Sequence, residues 1–115
     1  MSAALARKTC TPCRGGIPPL SQAEAEDYLA QLPQWELADG AGVIRRTYKF
    51  HNFGEALVFV QRVGMLSDAE GHHPDIAFGW GYATISLRTK KIKGLHENDF
   101  IMAAKIDELA SAAAQ

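Results

Sequence analysis

Polar and apolar positions along the chain repeat with two different periods, and these periods mark out most of the elements. Ser21-Gln22-Ala23-Glu24 sets a serine three residues ahead of a glutamate, so a helix is predicted to start there and to stop before Pro33. The period then shortens. QWEL and VIRRTYKF flank Asp39-Gly40-Ala41-Gly42, and in the second run Ile44, Arg46, Tyr48 and Phe50 alternate with Val43, Arg45, Thr47 and Lys49. Together they predict a β-hairpin with a glycine-rich turn. Asn52, with Glu55 three residues on, opens a longer helix from Phe53 to about Ala69, stopped by Gly71. Within it Phe53, Ala56, Leu57, Val60, Val63 and Gly64 follow the spacing of a core face, while Val58, Phe59, Met65 and Leu66 add apolar area on a flank. Two arrangements satisfy that width: a deeply buried helix, or one held between its own sheet and another subunit.

DIAF and WGYATISLRT predict two more strands separated by Gly79, with Ala83, Ile85 and Leu87 on one face and Tyr82, Thr84 and Ser86 on the other. KKIKGL connects them to a last helix that begins between His96 and Asn98 and carries Phe100, Met102, Ala103, Ile106 and Leu109. The order α-β-β-α-β-β-α has no βαβ alternation. It predicts the α+β class, an antiparallel four-stranded sheet with helices packed on one face.

Composition narrows the function. A chain of 115 residues has room for one domain, and 47% hydrophobic with 22% charged residues is an ordinary globular balance. A formal net charge of −1 argues against a nucleic-acid or anionic-membrane binder. The only one-signed run is Arg7, Lys8 and Arg14, with no acid before Glu24. No apolar stretch approaches the roughly 20 residues of a membrane span, and the first ten residues lack a secretory h-region, so a cytoplasmic location is expected. Residues 1–20 read as a flexible Gly/Pro-rich lead ahead of a single domain over 21–115. The lead holds the CxxC pair Cys10 and Cys13, which reads as reduced and non-catalytic; a metal clip completed by another chain or by a histidine is the alternative.

His72-His73-Pro74 carries the candidate chemistry. Imidazole both takes and gives a proton near neutral pH, and two of them could divide those tasks. Pro74 disfavours the α region for His73 and so fixes the pair at a strand entrance. Asp68 lies one helical turn before His72, in reach of an imidazole. Adjacent histidines lack the spacing that aims two rings at one ion, so metal binding is the weaker reading, and solvated loop residues are the bland one. Trp80 reads either as core or as an aromatic platform, Asp99 as a first-turn acid or a site carboxylate, and His96 as an imperfect cap or a site member. Imidazoles, a carboxylate and an aromatic face, if brought into one hollow, suit a flat nitrogen-rich heterocycle that needs proton transfers.

Asp68-x3-His72-His73-Pro74-x5-Trp80, with Asp99 downstream in GLHENDF, resembles the signature of the pterin-4a-carbinolamine dehydratases, and most of all their bacterial branch. CTPCRGGIPPL, LPQWEL, HNFGEALVFVQRVG and GLHENDFIMAAKIDEL are similar to segments of the same proteins, so the likeness covers nearly the whole chain. It implies dehydration of a 4a-hydroxytetrahydropterin to the quinonoid dihydropterin and water, a step that serves the aromatic amino-acid hydroxylases. No metal or organic cofactor is implied. By the same likeness His72 and His73 are catalytic, with His73 the principal acid-base residue, Trp80 shapes the pterin pocket and Asp99 anchors that end of the site; Asp68, Pro74, Lys90 and His96 are expected beside them as substrate-binding residues.

One position departs from the family pattern. Where a third histidine follows a threonine, this chain has Thr89-Lys90, which replaces a proton-sharing ring with a fixed cation. His96 is a candidate substitute. The resemblance also implies a homodimer or homotetramer built through the 53–69 helix. Animal relatives use that helix as dimerisation cofactors of a homeodomain transcription factor, so a non-catalytic pterin-binding module or an interaction protein stands as the alternative function.

Overall fold

The computed structural model describes residues 3–11 and 15–113, which leaves Cys13 outside the described residues. A short helix, α1 (Ala3–Ala6), precedes α2 (Gln22–Leu29), β1 (Glu36–Ala38), β2 (Val43–Lys49), α3 (Phe53–Glu70), β3 (Asp75–Gly79), β4 (Tyr82–Leu87) and α4 (Glu97–Ala113), with a single 3₁₀ turn at Lys90–Ile92. The strands form one antiparallel sheet in the order β1-β2-β4-β3. The α+β architecture anticipated from the periodicity is therefore the one adopted, with α1 added in front.

Register decides which face is covered. Ile44 pairs with Leu87, Arg46 with Ile85 and Tyr48 with Ala83, and on the far side Ile76 meets Ile85 and Phe78 meets Ala83. Ile44, Tyr48, Ala83, Ile85 and Leu87 are buried beneath α3 and α4, while Thr47 and Thr84 join their hydroxyls across the opposite, uncovered face. The helix starts follow the expected caps. Ser21 and Glu24 close a reciprocal capping box at α2, and Asn52 accepts from the Glu55 N–H at α3.

Two expectations are corrected. The buried stripe of α3 is Ala56, Phe59, Val63 and Ser67: Ala56 and Val63 of the expected core face hold, Phe59 joins them from the flank, and Phe53 and Leu57 are exposed. Phe59 faces inward, its ring packed against Tyr48 at 4.7 Å and Phe50 at 5.2 Å between centroids. The strand break after β3 falls at Trp80-Gly81, with Gly79 still paired to Tyr82, so Trp80 occupies a hairpin tip and not the start of β4.

The N-terminal residues lie along α4. Leu5 and Ala6 are buried, and the Lys105 ammonium donates to the Ala6 carbonyl at 2.7 Å. Among the described residues, no helix is long and apolar enough to cross a membrane.

Candidate active site

Helix α3 ends where glycine permits it. Gly71 adopts φ 68°, in the left-handed region, and its N–H returns to the Ser67 carbonyl at 2.9 Å. The His72 N–H shares that carbonyl at 3.2 Å, and Pro74 prevents any further helical turn. The two imidazoles then part. His72 is 8% exposed and its Nε2 lies 2.6 Å from Asp99 Oδ1, whereas the His73 side chain is 61% exposed and its Nε2 lies 2.9 Å from Asp68 Oδ1. Asp68 thus serves His73, not the His72 that helical spacing suggested, because successive side chains of an extended segment point to opposite sides.

Asp99 is fully buried, with 0% exposure, and its two oxygens are satisfied from three parts of the chain. Oδ1 meets His72 at the end of α3; Oδ2 accepts the Thr89 hydroxyl at 2.8 Å and the His96 N–H at 3.0 Å. A carboxylate in its ionised form only accepts hydrogen bonds, so against it His72 Nε2 is the donor and Nδ1 is left as the acceptor. Three donors on one buried carboxylate are what a group removed from water requires. The contact between Asp99 and His96 is also half of a cap: His96 Nδ1 accepts the Asn98 N–H at 3.0 Å while Asp99, three residues on, accepts the His96 N–H. His96 therefore fills a capping role with the ring nitrogen proposed as a spare proton carrier.

Thr89 is buried and was not among the residues singled out for the site. The signal was present: 83, 85 and 87 face the core, and 89 continues that period of two with a polar side chain. It is held in place by a bridge to Gly94, with the Thr89 N–H on the Gly94 carbonyl at 2.8 Å. Gly94 has no alternative there, since a Cβ would lie 2.5 Å from the Pro19 Cβ.

Lys90 sits at the rim, its Nζ 3.6 Å from Asp75 Oδ1, with both side chains largely exposed. Asp75 is two residues beyond His73, with the half-buried Pro74 between them, so the Lys90 pair is made at the entrance of β3. Trp80 is not brought to the site. It lies at the opposite end of β3, roughly 17 Å along the strand, and is 72% exposed. Among the described residues, the two histidines and Trp80 thus do not share one hollow.

A broad open hollow lies at the other end of α3, among Arg46, Tyr48, Asn52, Glu55 and Arg62. Its fixed centre is Asp107, whose Oδ1 accepts Trp35 Nε1–H at 3.0 Å, Arg46 at 2.7 Å and the Tyr48 hydroxyl. Among the described residues, no group of three or more His, Cys, Asp and Glu side chains is placed to hold a metal ion.

The Pterin 4 alpha carbinolamine dehydratase family matches residues 18–109. A protein of Cupriavidus pinatubonensis, provisionally named pterin-4-alpha-carbinolamine dehydratase 1, is 61% identical over the whole of this chain and 99% of its own length. A provisionally named pterin-4-alpha-carbinolamine dehydratase of Methylococcus capsulatus is 61% identical over 95% of this chain and 96% of its own. Among solved structures, a transcriptional coactivator/pterin dehydratase from Brucella melitensis superposes with a TM-score of 0.75 at 28% identity, covering 80% of this chain and 98% of that one. A pterin dehydratase-like protein identified as a RuBisCO assembly factor in the alpha-carboxysome gives a TM-score of 0.59 at 26% identity, over 67% of this chain and 89% of that one. With the family matched over most of its length, the chain belongs to the pterin-4a-carbinolamine dehydratases.

Proposed function

We propose that the protein dehydrates a 4a-hydroxytetrahydropterin, giving the quinonoid dihydropterin and water, by general acid-base catalysis from the His72-His73 pair. The observation that carries this reading is the division of the pair: one imidazole buried on Asp99, its neighbour exposed on Asp68. The reaction breaks the C4a–O bond, with the N5 lone pair closing the C=N bond as hydroxide departs. One proton goes to the leaving oxygen and one leaves N5. His73, which a ligand can reach, is the acid-base residue for these transfers, and Asp68 orients its ring. His72 is its partner, held in one tautomer by Asp99 and offering its second ring nitrogen to substrate. Lys90, beside Asp75, supplies a fixed positive charge at the rim toward the pterin carbonyl or the departing oxygen. Neither proton transfer calls for a metal or an organic cofactor.

The test couples purified protein to an aromatic amino-acid hydroxylase that generates the carbinolamine and follows the quinonoid product by absorbance. His73→Ala should lower the rate by about 10²-fold, the lower end of a general acid-base contribution. Equal rates for wild type and His73→Ala would defeat the assignment.

A second reading has its own observation. Val58 and Met65, seven residues apart on the outward side of α3, are both exposed. Such a stripe suits self-association into a homodimer or homotetramer, or a protein partner of the kind named for the carboxysome relative. A protein that assembles through this stripe but shows no turnover in the coupled assay would be an interaction module. Light scattering on wild type and Met65→Glu distinguishes the two.

A further inference from the structure

Residues 3–11 lie outside the matched family region, which begins at residue 18, yet they make contacts at both walls of the His72-Asp99 pair. On the α3 side, the Cys10 N–H donates to Glu70 Oε1 at 2.9 Å, two residues before His72. On the α4 side, the Asn98 amide grips Thr11 twice: its Oδ1 accepts the Thr11 N–H at 3.0 Å and its Nδ2 donates to the Thr11 carbonyl at 2.8 Å. Asn98 is buried and immediately precedes Asp99. The segment is anchored upstream as well, by buried Leu5 and Ala6 and by Lys105, whose ammonium lies on the Ala6 carbonyl and 3.8 Å from Glu70 Oε2.

The His72-Asp99 bond joins the residue just beyond the cap of α3 to the first turn of α4. The two helices touch directly, with Lys105 3.8 Å from Glu70, and the strap adds a second tie that is bonded to residue 70 on one side and residue 98 on the other. We propose that the N-terminal segment is a positioning strap for the acid-base site, in which Asn98 and Glu70 hold Asp99 against the His72 ring by tying both helix ends to Cys10 and Thr11. The inference rests on the catalytic reading given above for the importance of that pair, but the geometry it asserts is independent of turnover.

A ring N–H bonded to a carboxylate at 2.6 Å is protected from solvent and gives a proton resonance well downfield of the amides, so the strap has a direct spectroscopic readout. In the full-length protein, Asn98→Ala should keep a folded amide spectrum while that resonance broadens into exchange with water, and kcat should fall about ten-fold with KM changed less than two-fold, the signature of misplaced catalytic groups. Asn98→Asp retains the acceptor for the Thr11 N–H and should recover part of the signal. Thr11→Pro removes the same N–H from the strap and leaves every site residue in place, so it reports the effect should Asn98→Ala fail to fold. An unchanged downfield resonance in folded Asn98→Ala or Thr11→Pro overturns the proposal. Were wild type to lack turnover, the catalytic reading would fall, and loss of the resonance in the variants would still establish the strap.

Discussion

Lys90 stands where the family resemblance implies a third histidine, and its surroundings say what an exchange would cost. Its ion pair with Asp75 spans 3.6 Å between exposed side chains, and pairs of that kind contribute at most about 1 kcal/mol. Exchange for histidine therefore removes little stability, while it supplies a ring able to share a proton near the entrance of β3. Lys90→His is expected to raise kcat by about ten-fold or more in the coupled assay with no resolvable change in melting temperature. A fall in rate would mean that the fixed cation is itself needed by the substrate. The HHP motif and its carboxylates could be read from residue types alone. Which carboxylate serves which histidine could not, because Asp99 reaches His72 across 27 positions of sequence and only folding makes them neighbours.

At the scale of elements, ends matter more than lengths. The bounds of α2, α3 and α4 follow local chemistry: serine and asparagine caps, the glycine stop, and the reciprocal bonds of His96 and Asp99. Gly71 is the most exacting of these. It has open space around a would-be Cβ, so substitution meets no clash, and the left-handed conformation alone penalises it. Gly71→Ala should cost about 1–2 kcal/mol in denaturant unfolding, and it should lower the proposed dehydratase activity because His72 follows directly. A neutral result would show that the chain after α3 relaxes without moving the imidazole. The face of α3, by contrast, does not follow from periodicity alone. Apolar residues on nearly every side leave the stripe undecided, and the packing of Phe59 on Tyr48 and Phe50 chooses it.

For the whole molecule, two weak acids, Tyr48 buried and Cys10 half-buried, link stability to pH. Burial first, then the Glu70 carboxylate, pushes the Cys10 thiol from 9.0 up to about 12, and burial with Asp107 holds the Tyr48 phenol far above its usual 10.0. Both groups stay protonated in the folded protein and would lose their protons sooner once unfolded. Their contribution is complete below about pH 9 and is lost as pH rises above it, so the denaturant midpoint should fall between pH 8 and pH 11. Tyr48→Phe should flatten that slope; a midpoint independent of pH in wild type would contradict the burial of both groups. The strap and the sheet are coupled in the same measurement, since Cys10 reports the docking of residues 3–11 and Tyr48 reports the Asp107 cluster at the far end.

What the sequence determined by itself is local in origin: the periods of two and 3.6, the caps and the glycine stop fix the order and type of the elements, because each depends on residues within a turn of one another. The candidate histidines and carboxylates were legible for the same reason, as residue types at short spacing. Only the tertiary structure decided that Asp99 is buried on His72, that Thr89 completes its shell, that residues 10 and 11 tie down both helix ends, and that Trp80 stands apart at a hairpin tip. Those outcomes depend on register, on which helix face wins the core, and on how far a five-residue strand carries its ends, and none of these is encoded within a single window of the chain.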